Sequence, residues 1–438
     1  MTQTLTEYDR YAEQYAGLAD TGPVWLRDLK KKGFDNFARL GFPTARRGNE
    51  AWKYTNVAPV ARAEFSTPGA SDPPGAGALC QALPWQDDWN TLVFVDGRFS
   101  NELSSIHDSD EAIVANLSGV VEHDGADVRR HLGTLASVED DGFTALNTAF
   151  IGDGAVVHVP SGTTMERPIH LAFVSTEDGS FVAHPRVLVV AGAESDATVI
   201  ESYVGLGDNA YFNNAVAEIV IEEGANVEHY RLMDESHESY HVGVARIHQK
   251  DGSSFSSRAF YKGVGLGRHD FYVHIGEGCE TDLSGLYITS GTQHMDNFIN
   301  IDHAQPNSTS RLYYKGILSG RSRAVFGGTV FVREGADKTD SLQSDKNLLL
   351  SPGAEVDSKP ALFIWADDVK CGHGATAGNV DEDTVFYMRS RGVDLETASR
   401  LLIFGFASEV IDTVAVPELH EYLERSFLDA IPRYEFRF

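Results

Sequence analysis

A cysteine and a histidine two residues apart, Cys371 and His373, close the stretch KTDSLQSDKNLLLSPGAEVDSKPALFIWADDVKCGHGAT at residues 338–376. On a strand, residues two apart share a face, so Val369, Cys371 and His373 point the same way, with Cα atoms stepping by about 6.6–6.8 Å. Thiolate and imidazole both suit iron, and thiolate is the usual ligand of iron–sulfur clusters. Two side chains leave a cluster under-coordinated, so the remaining ligands must come from a second chain or a small thiol. That shortage fits a transfer site shared between subunits better than a permanent cofactor site. The residues alone also allow a plainer reading, with Cys371 a buried small hydrophobe and His373 a hydrogen-bonded core residue.

Little else in the chain offers chemistry. Cys80 and Cys279 are far apart in sequence and no CxxC pair exists, so neither a disulfide framework nor an all-cysteine metal site is expected. Cys279, after a turn glycine in GEGCE, reads as a packed core residue. His237 and His241 lie four apart, and His269 and His274 five apart, but neither pair sits in a helical HExxH context. They read as surface or turn residues. GVGLGRHD is not GxGxxG, and no GxxxxGK[ST] or GxSxG occurs. ATP hydrolysis, where it is needed, therefore belongs to a partner. Asp367 and Asp368 are adjacent and on a strand would point to opposite faces, which weakens a reading as a carbohydrate-acting β-helix enzyme with paired carboxylates.

Composition narrows the classes further. The 438 residues carry a formal net charge of −28, from 36 basic and 64 acidic side chains. That balance argues against nucleic acid as the main partner, because phosphate binding needs clustered Lys and Arg. Only 11 of the basic residues are lysines, and the acidic excess suits a host that accumulates salt. No apolar run approaches the roughly 20 residues of a membrane-spanning helix. The polar, acidic start MTQTLTEYDRYAEQYAG resembles neither a signal nor a transit peptide, so a cytoplasmic protein is expected.

Three segments must position the Cys–His pair. Residues 1–140 read as an N-terminal helical region with a linker: helices over 5–18 and 23–40, the second ended by Gly41, then a Pro/Gly/Ala-rich mobile stretch over 66–88 and TLVFVDGRFS over 91–100 as a strand running into a turn at Asp96–Gly97. Residues 145–376 show short runs such as AVVHVP, RVLVVA and AEIVIEEG between glycine-centred turns. That pattern points to a β-solenoid rather than a sandwich, with the 18-residue step from Gly335 to Gly353 taken as close to one coil. Residues 378–438 switch to helical periodicity. Asp381 and Asp394 stand as caps, Pro417 opens a third helix, and Leu395, Ala398, Leu401, Leu402, Phe406 and Ile411 form the expected buried stripe. Since a stack of coils has open ends, these helices are expected to cap one of them.

The ordered motifs EAWKYTNV, LNTAF, GDGAVVHVPSGTTMERPIH, YYKGIL, SRAVFGGTVFV, KTDSLQSDKNLLLS, EVDSKPALFIWADDVKCGHGAT and FYMRSRG resemble the SufB/SufD family of iron–sulfur cluster assembly scaffolds over nearly the whole chain. Within it, Ser344–Asp345 and Gly374 stand where a cysteine and a glutamate are expected in SufB, so the likeness is to the SufD branch, the partner with fewer ligands. The resemblance implies a mainly β protein: a right-handed parallel β-helix flanked by N- and C-terminal helical regions. It implies a non-catalytic scaffold that docks a SufC-type ATPase through its C-terminal helices. A SufB-type paralogue, or a second copy, would meet its β-helix, and iron or a nascent cluster would be handled transiently near that meeting place, with no intrinsic cofactor. It places the functional histidine at His373, with Cys371 beside it as the second metal-site candidate. A purely structural solenoid that only dimerises and anchors the ATPase remains the alternative.

Overall fold

A computed structural model describes residues 10–18, 21–45, 49–69, 73–107, 112–176 and 179–432. The expected start of the first helix, at residue 5, lies outside them. Two long sheets run side by side, and the chain alternates between them. One has ten strands and ends on Lys370–Gly378; the other has eleven and ends on Glu355–Ser358, with Ala361–Ile364 beside it. Pairing is parallel from coil to coil, and antiparallel at the outer hairpin Asn90–Val95 with Arg98–Phe99 and where Ile113–Asn116 joins Gly154–Val159. This is the expected parallel β-solenoid, of about eight turns.

The coil is longer than the turn glycines suggest. In the ten-stranded sheet Asn226 pairs with Ser254, Ser254 with Glu280, Glu280 with Thr309, Thr309 with Asp340 and Asp340 with Lys370, so one coil takes 26–31 residues. Each coil carries a strand in each sheet, most of them ten residues long. Gly335 and Gly353 flank one strand, Asp340–Leu349, so their 18-residue step spans only part of a coil. Gly335 also turns with φ 82°, which a glycine adopts freely, whereas Gly353 is not left-handed.

Inward residues follow the two-residue period of a strand. Val187, Val189, Ala215, Ala217, Ile219, Phe271, Val273, Ile299, Ile301, Val330 and Val332 are among the apolar residues that fill the space between the sheets. Bulk is matched across neighbouring strands. Gly285 pairs with Tyr314, and Tyr287 with Gly316. A Cβ on Gly285 would stand 2.3 Å from the Tyr314 ring, and one on Gly316 2.4 Å from the Tyr287 ring. His241 and His269 also point into this lumen and are buried, which corrects their reading as surface residues. His241 hydrogen-bonds Glu235 at 2.8 Å and His269 bonds the Tyr261 hydroxyl at 2.5 Å.

The N-terminal region lies against the solenoid. Its helix Val24–Leu40 ends as expected at Gly41, whose N–H reaches the Phe37 carbonyl. In the EAWKYTNV motif, Trp52 lies under the Arg268 guanidinium at 3.9 Å, and the Thr55 hydroxyl donates to Asp296 at 2.5 Å, itself ion-paired to Arg268. The stretch expected to be a mobile linker contains the helix Ala76–Ala82. Leu79 and Leu83 are buried there against Val93, Val95, Ala172 and Val174, enough apolar contact to hold the segment. Cys80 is on that helix and exposed.

The C-terminal helices begin at the expected caps. The Asp381 side chain accepts from the Asp383 N–H, that of Asp394 from the Thr397 N–H, and Pro417 opens the last helix. They do not cap the stack. They fold back along the outer face of the ten-stranded sheet, where Ile200, Leu232, Phe260, Leu286, Ile288 and Ile317 form an apolar surface that requires cover. Burial of that surface outweighs protection of the open edge, so the last strand stays uncovered. The buried stripe of the helix Leu395–Ile411 is Ala398, Ser399, Ile403, Ala407, Val410 and Ile411. Leu395, Leu402 and Phe406 pack only partly, and Leu401, expected in the core, is 53% exposed. No helix among the described residues is long and apolar enough to cross a membrane.

Candidate functional site

Cys371 and His373 lie on the terminal strand Lys370–Gly378, paired with Ser341 and Gln343 of the strand beneath. Strand alternation sets their direction. On Asp340–Leu349, Ser341, Gln343, Asp345 and Asn347 are buried, while Leu342 between them is 53% exposed. The inward face of this strand is therefore the odd-numbered one, and its register partners Cys371 and His373 share that side. Cys371 packs half-buried against the edge of the core. His373 is exposed because no further coil covers it, and it has no hydrogen-bond partner among the described residues.

The environment sets the state of the thiol. Burial pushes Cys371 above the ordinary cysteine value, with the nearby Asp340 charge adding to it. The group is a neutral thiol near pH 7 and ionises when a cation takes its proton's place. Beneath it runs a hydroxyl row, since Thr281, Ser310, Ser341 and Cys371 stand in register on four successive strands. Ser310 and Ser341 share a 2.7 Å hydrogen bond, and His303 joins Ser310 at 2.8 Å. Burial holds His303 down to about 4, so it is a neutral acceptor or donor in this row.

The three cysteines differ enough to be told apart by alkylation. Cys80 is exposed, Cys371 is half-buried, and Cys279 is buried with its thiol also pushed up by burial. Iodoacetamide at pH 8 is expected to label Cys80 first, Cys371 more slowly and Cys279 last, read by peptide mass mapping. Labelling of Cys371 ahead of Cys80 would contradict this description of its surroundings.

Neither Cys371 nor His373 is joined by a third ligand in binding geometry. Among the described residues no group of three or more His, Cys, Asp or Glu side chains is placed to hold a metal ion. Asp367 and Asp368 lie in a bend rather than on a strand. Beside the terminal strand is an aromatic surface that sequence reasoning missed. Phe363 and Trp365 are about half exposed, Phe363 stacks on Phe331 at 5.5 Å, and Arg333 lies over both Phe331 and Trp365. FIW within PALFIWADD was a visible signal, because three consecutive large apolar residues on a strand must place at least one outward.

A second exposed surface is on the C-terminal helices, where Phe386 and Tyr387 are 73% and 59% exposed and Leu401 adds to the apolar area. The helix Leu395–Ile411 is tied to the sheet by polar contacts. The buried Lys315 ammonium donates to the Phe406 carbonyl and pairs with Glu409, both at 2.7 Å, and Glu409 also accepts from the Tyr313 hydroxyl at 2.6 Å. Tyr313 and Lys315 are on Thr309–Leu318, two strands below the terminal one.

Comparison with known proteins covers nearly the whole chain. Residues 173–406 match the family described as SUF system FeS cluster assembly, SufBD core domain, and residues 1–171 match the SufBD protein N-terminal region. An iron–sulfur cluster assembly SufBD family protein of Synechocystis is 32% identical over 434 residues, covering 96% of this chain and 95% of the relative. The chloroplastic protein ABCI7 of Arabidopsis thaliana is 31% identical, covering 87% and 82%. The iron–sulfur cluster assembly protein SufD of Escherichia coli is 30% identical, covering 86% of each.

Proposed function

The chain belongs to the SufBD family of iron–sulfur cluster assembly proteins, and from that premise we propose that it is a SufD-type scaffold subunit that lends ligands and positioning rather than breaking bonds. In this reading a SufC-type ATPase docks on the C-terminal helices, and a SufB-type paralogue or a second copy meets the open end of the β-helix. Iron or a nascent cluster is cargo there, held in passing by His373 and Cys371 together with groups of the other chain. The observation that carries the reading is the uncovered terminal strand. It presents a thiol and an imidazole on one side, at a stack end with unpaired edge groups and flanking aromatics, which is the surface a second sheet would complete.

The exposed Phe386, Tyr387 and Leu401 support the ATPase surface, since contiguous apolar area on a soluble protein marks a contact. The Lys315–Glu409–Tyr313 contacts give the helices a direct grip on the strand two below the site, a route by which partner motion reaches it. Replacing Leu401 and Phe386 together with glutamate is expected to weaken capture of a co-expressed SufC-type ATPase by tenfold or more, the scale of a lost interface anchor, with the unfolding midpoint unchanged. Undiminished capture would sink this docking surface.

The reading as a whole is tested by anaerobic co-expression with a SufB-type and a SufC-type partner, followed by iron and sulfide analysis of the purified complex. A complex that forms but accumulates the same cluster content without this chain would favour a purely structural solenoid.

A further inference from the structure

The outer face of the eleven-stranded sheet carries two imidazoles that the proposed function does not use. His248 stands on Tyr240–Gln249 and His274 on Leu266–Ile275, neighbouring parallel strands on which the two residues are in register. Ile247, Val273 and Ile275 beside them fill the core, so strand alternation turns both histidines outward. On the next strand, His294–His303, the register partner of His274 is Asp302. One outward row therefore runs His248, His274, Asp302 over three successive coils. Both rings are open to solvent: His248 is half-buried and the His274 side chain is 40% exposed, whereas that of Asp302 is nearly covered.

The ring centres of His248 and His274 are 5.0 Å apart, with their planes at 87°. That separation fits two imidazoles on one metal ion. With metal–nitrogen bonds of about 2.0–2.1 Å and a tetrahedral angle, the centres of two ligand rings stand about 5 Å apart. Asp302 supplies the orientation. Its carboxylate faces His274 Nδ1 at 3.8 Å, which draws the ring proton to Nδ1 and leaves the lone pair on Nε2. Asp302 is itself held by Arg333, whose Nε and Nη2 donate at 2.7 and 3.0 Å, and by the Tyr272 hydroxyl at 2.6 Å. A carboxylate so engaged aims a ligand rather than binding the ion. Neither His248 nor Nε2 of His274 makes a hydrogen bond among the described residues. The Lys250 charge beside His248 is paired with Glu222 at 2.5 Å, so it does not bar a cation. No third protein ligand is in place among the described residues, which leaves the other coordination positions to water. Two neutral imidazoles select a late first-row transition ion over magnesium or calcium, which take oxygen.

We propose that His248 and His274, with Asp302 as the group that orients His274, form a surface site for a divalent transition-metal ion of the zinc type, open to water at its remaining positions. The site does not depend on the proposed function. It lies on the outer face of the eleven-stranded sheet, whereas Cys371 and His373 lie on the terminal strand of the ten-stranded one. Its two ligands are one coil apart in sequence, and only the register of the stack brings them together.

The test uses the full chain carrying Cys371→Ser and His373→Ala, with the exposed Cys80 blocked by iodoacetamide, so that the terminal strand and a free thiol contribute nothing. Titration calorimetry with Zn²⁺ is expected to give one ion per chain, and saturating Zn²⁺ to raise the unfolding midpoint. Adding His248→Ala or His274→Ala is expected to weaken Zn²⁺ binding at least tenfold and to abolish the rise, with the metal-free midpoint unchanged. Asp302→Asn is expected to weaken binding about tenfold, the lower end of the range for a group that orients a metal ligand. Cu²⁺ bound in place of Zn²⁺ is expected to show two imidazole nitrogens in its electron paramagnetic resonance spectrum, which ring packing alone cannot produce. No Zn²⁺ binding by the starting chain, binding that survives either histidine change, or a single nitrogen in the Cu²⁺ spectrum would overturn the inference and leave His248 and His274 as packed rings. Because His373 is absent throughout, none of these results bears on the proposed function.

Discussion

Replacing His373 with alanine is expected to lower cluster content of the assembled complex by on the order of 10–100-fold, the range seen when groups that hold or orient a metal are removed, while leaving the unfolding midpoint and partner capture unchanged. The two halves of this expectation have separate causes. The ring is exposed at the end of the stack and touches no other described residue through a hydrogen bond, so its loss creates neither a cavity nor an orphaned polar group. The strand that carries it is held by main-chain pairing to Asp340–Leu349, which the substitution does not alter. What is lost is the one exposed imidazole on the inward side of the terminal strand. The companion change Cys371→Ser is a useful contrast, since it keeps size and hydrogen bonding but not thiolate affinity for iron. Anaerobic reconstitution with iron and sulfide, read by absorbance and by metal analysis, gives the result. Undiminished clusters in His373→Ala would remove this residue from the site and leave the purely structural solenoid as the better account.

The largest expected loss of stability lies far from that site, at Glu218. Its carboxylate and the Arg186 guanidinium are both fully buried and meet at 2.5 Å. The same carboxylate accepts from the N–H groups of Gly133, Leu135 and Ala136 at 2.8, 2.8 and 3.1 Å, tying the N-terminal region to the sheet. Arg186 is held further by Asn147 at 3.0 Å. Glu218→Ala leaves a buried guanidinium without its counter-charge, a change that costs about 3–5 kcal/mol. The double variant Arg186→Met with Glu218→Leu removes both charges and is expected to recover part of that loss. Full recovery is not expected, because the three loop N–H groups still lack an acceptor, at about 1–3 kcal/mol for each buried group left unpaired. Urea midpoints of the wild type and the two variants measure this. A single variant as stable as the wild type would mean that the pair is not buried in solution as it is here.

The outline of the fold and the shared strand side of Cys371 and His373 were legible because they rest on local rules. Cys371 and His373 share a side through strand alternation alone, and Asp381, Asp394 and Pro417 mark helix starts through hydrogen bonding and fixed φ. What was not legible depended on which of two equally apolar surfaces finds a partner. Leu401 and Ile403 are indistinguishable in the run LLIFGF, and only the outer face of the sheet, contributed by residues 200–317, selects Ile403 for burial. The same face draws the helices away from the stack end that they were expected to cap. The coil length was misjudged because turn glycines mark both bends of each coil. His241 was misplaced for a different reason. Following the two-residue period through His241, Gly243, Ala245 and Ile247 puts it inside, whereas a test for metal-ligand spacing considers only its distance from His237.

The reciprocal fit of Gly285 with Tyr314 and of Tyr287 with Gly316 means that the coils, though they repeat in shape, are not interchangeable modules. Copying the strand Glu280–Thr289 next to itself would set tyrosine against tyrosine in one row and leave a void between two glycines in the other. Deleting a coil would break the same lock. Lengthening or shortening of this stack by duplication is therefore closed to it in this region, and substitutions at these four positions must change in concert. The architecture has the outline of a repeat array, but in this region it must be engineered as a single core.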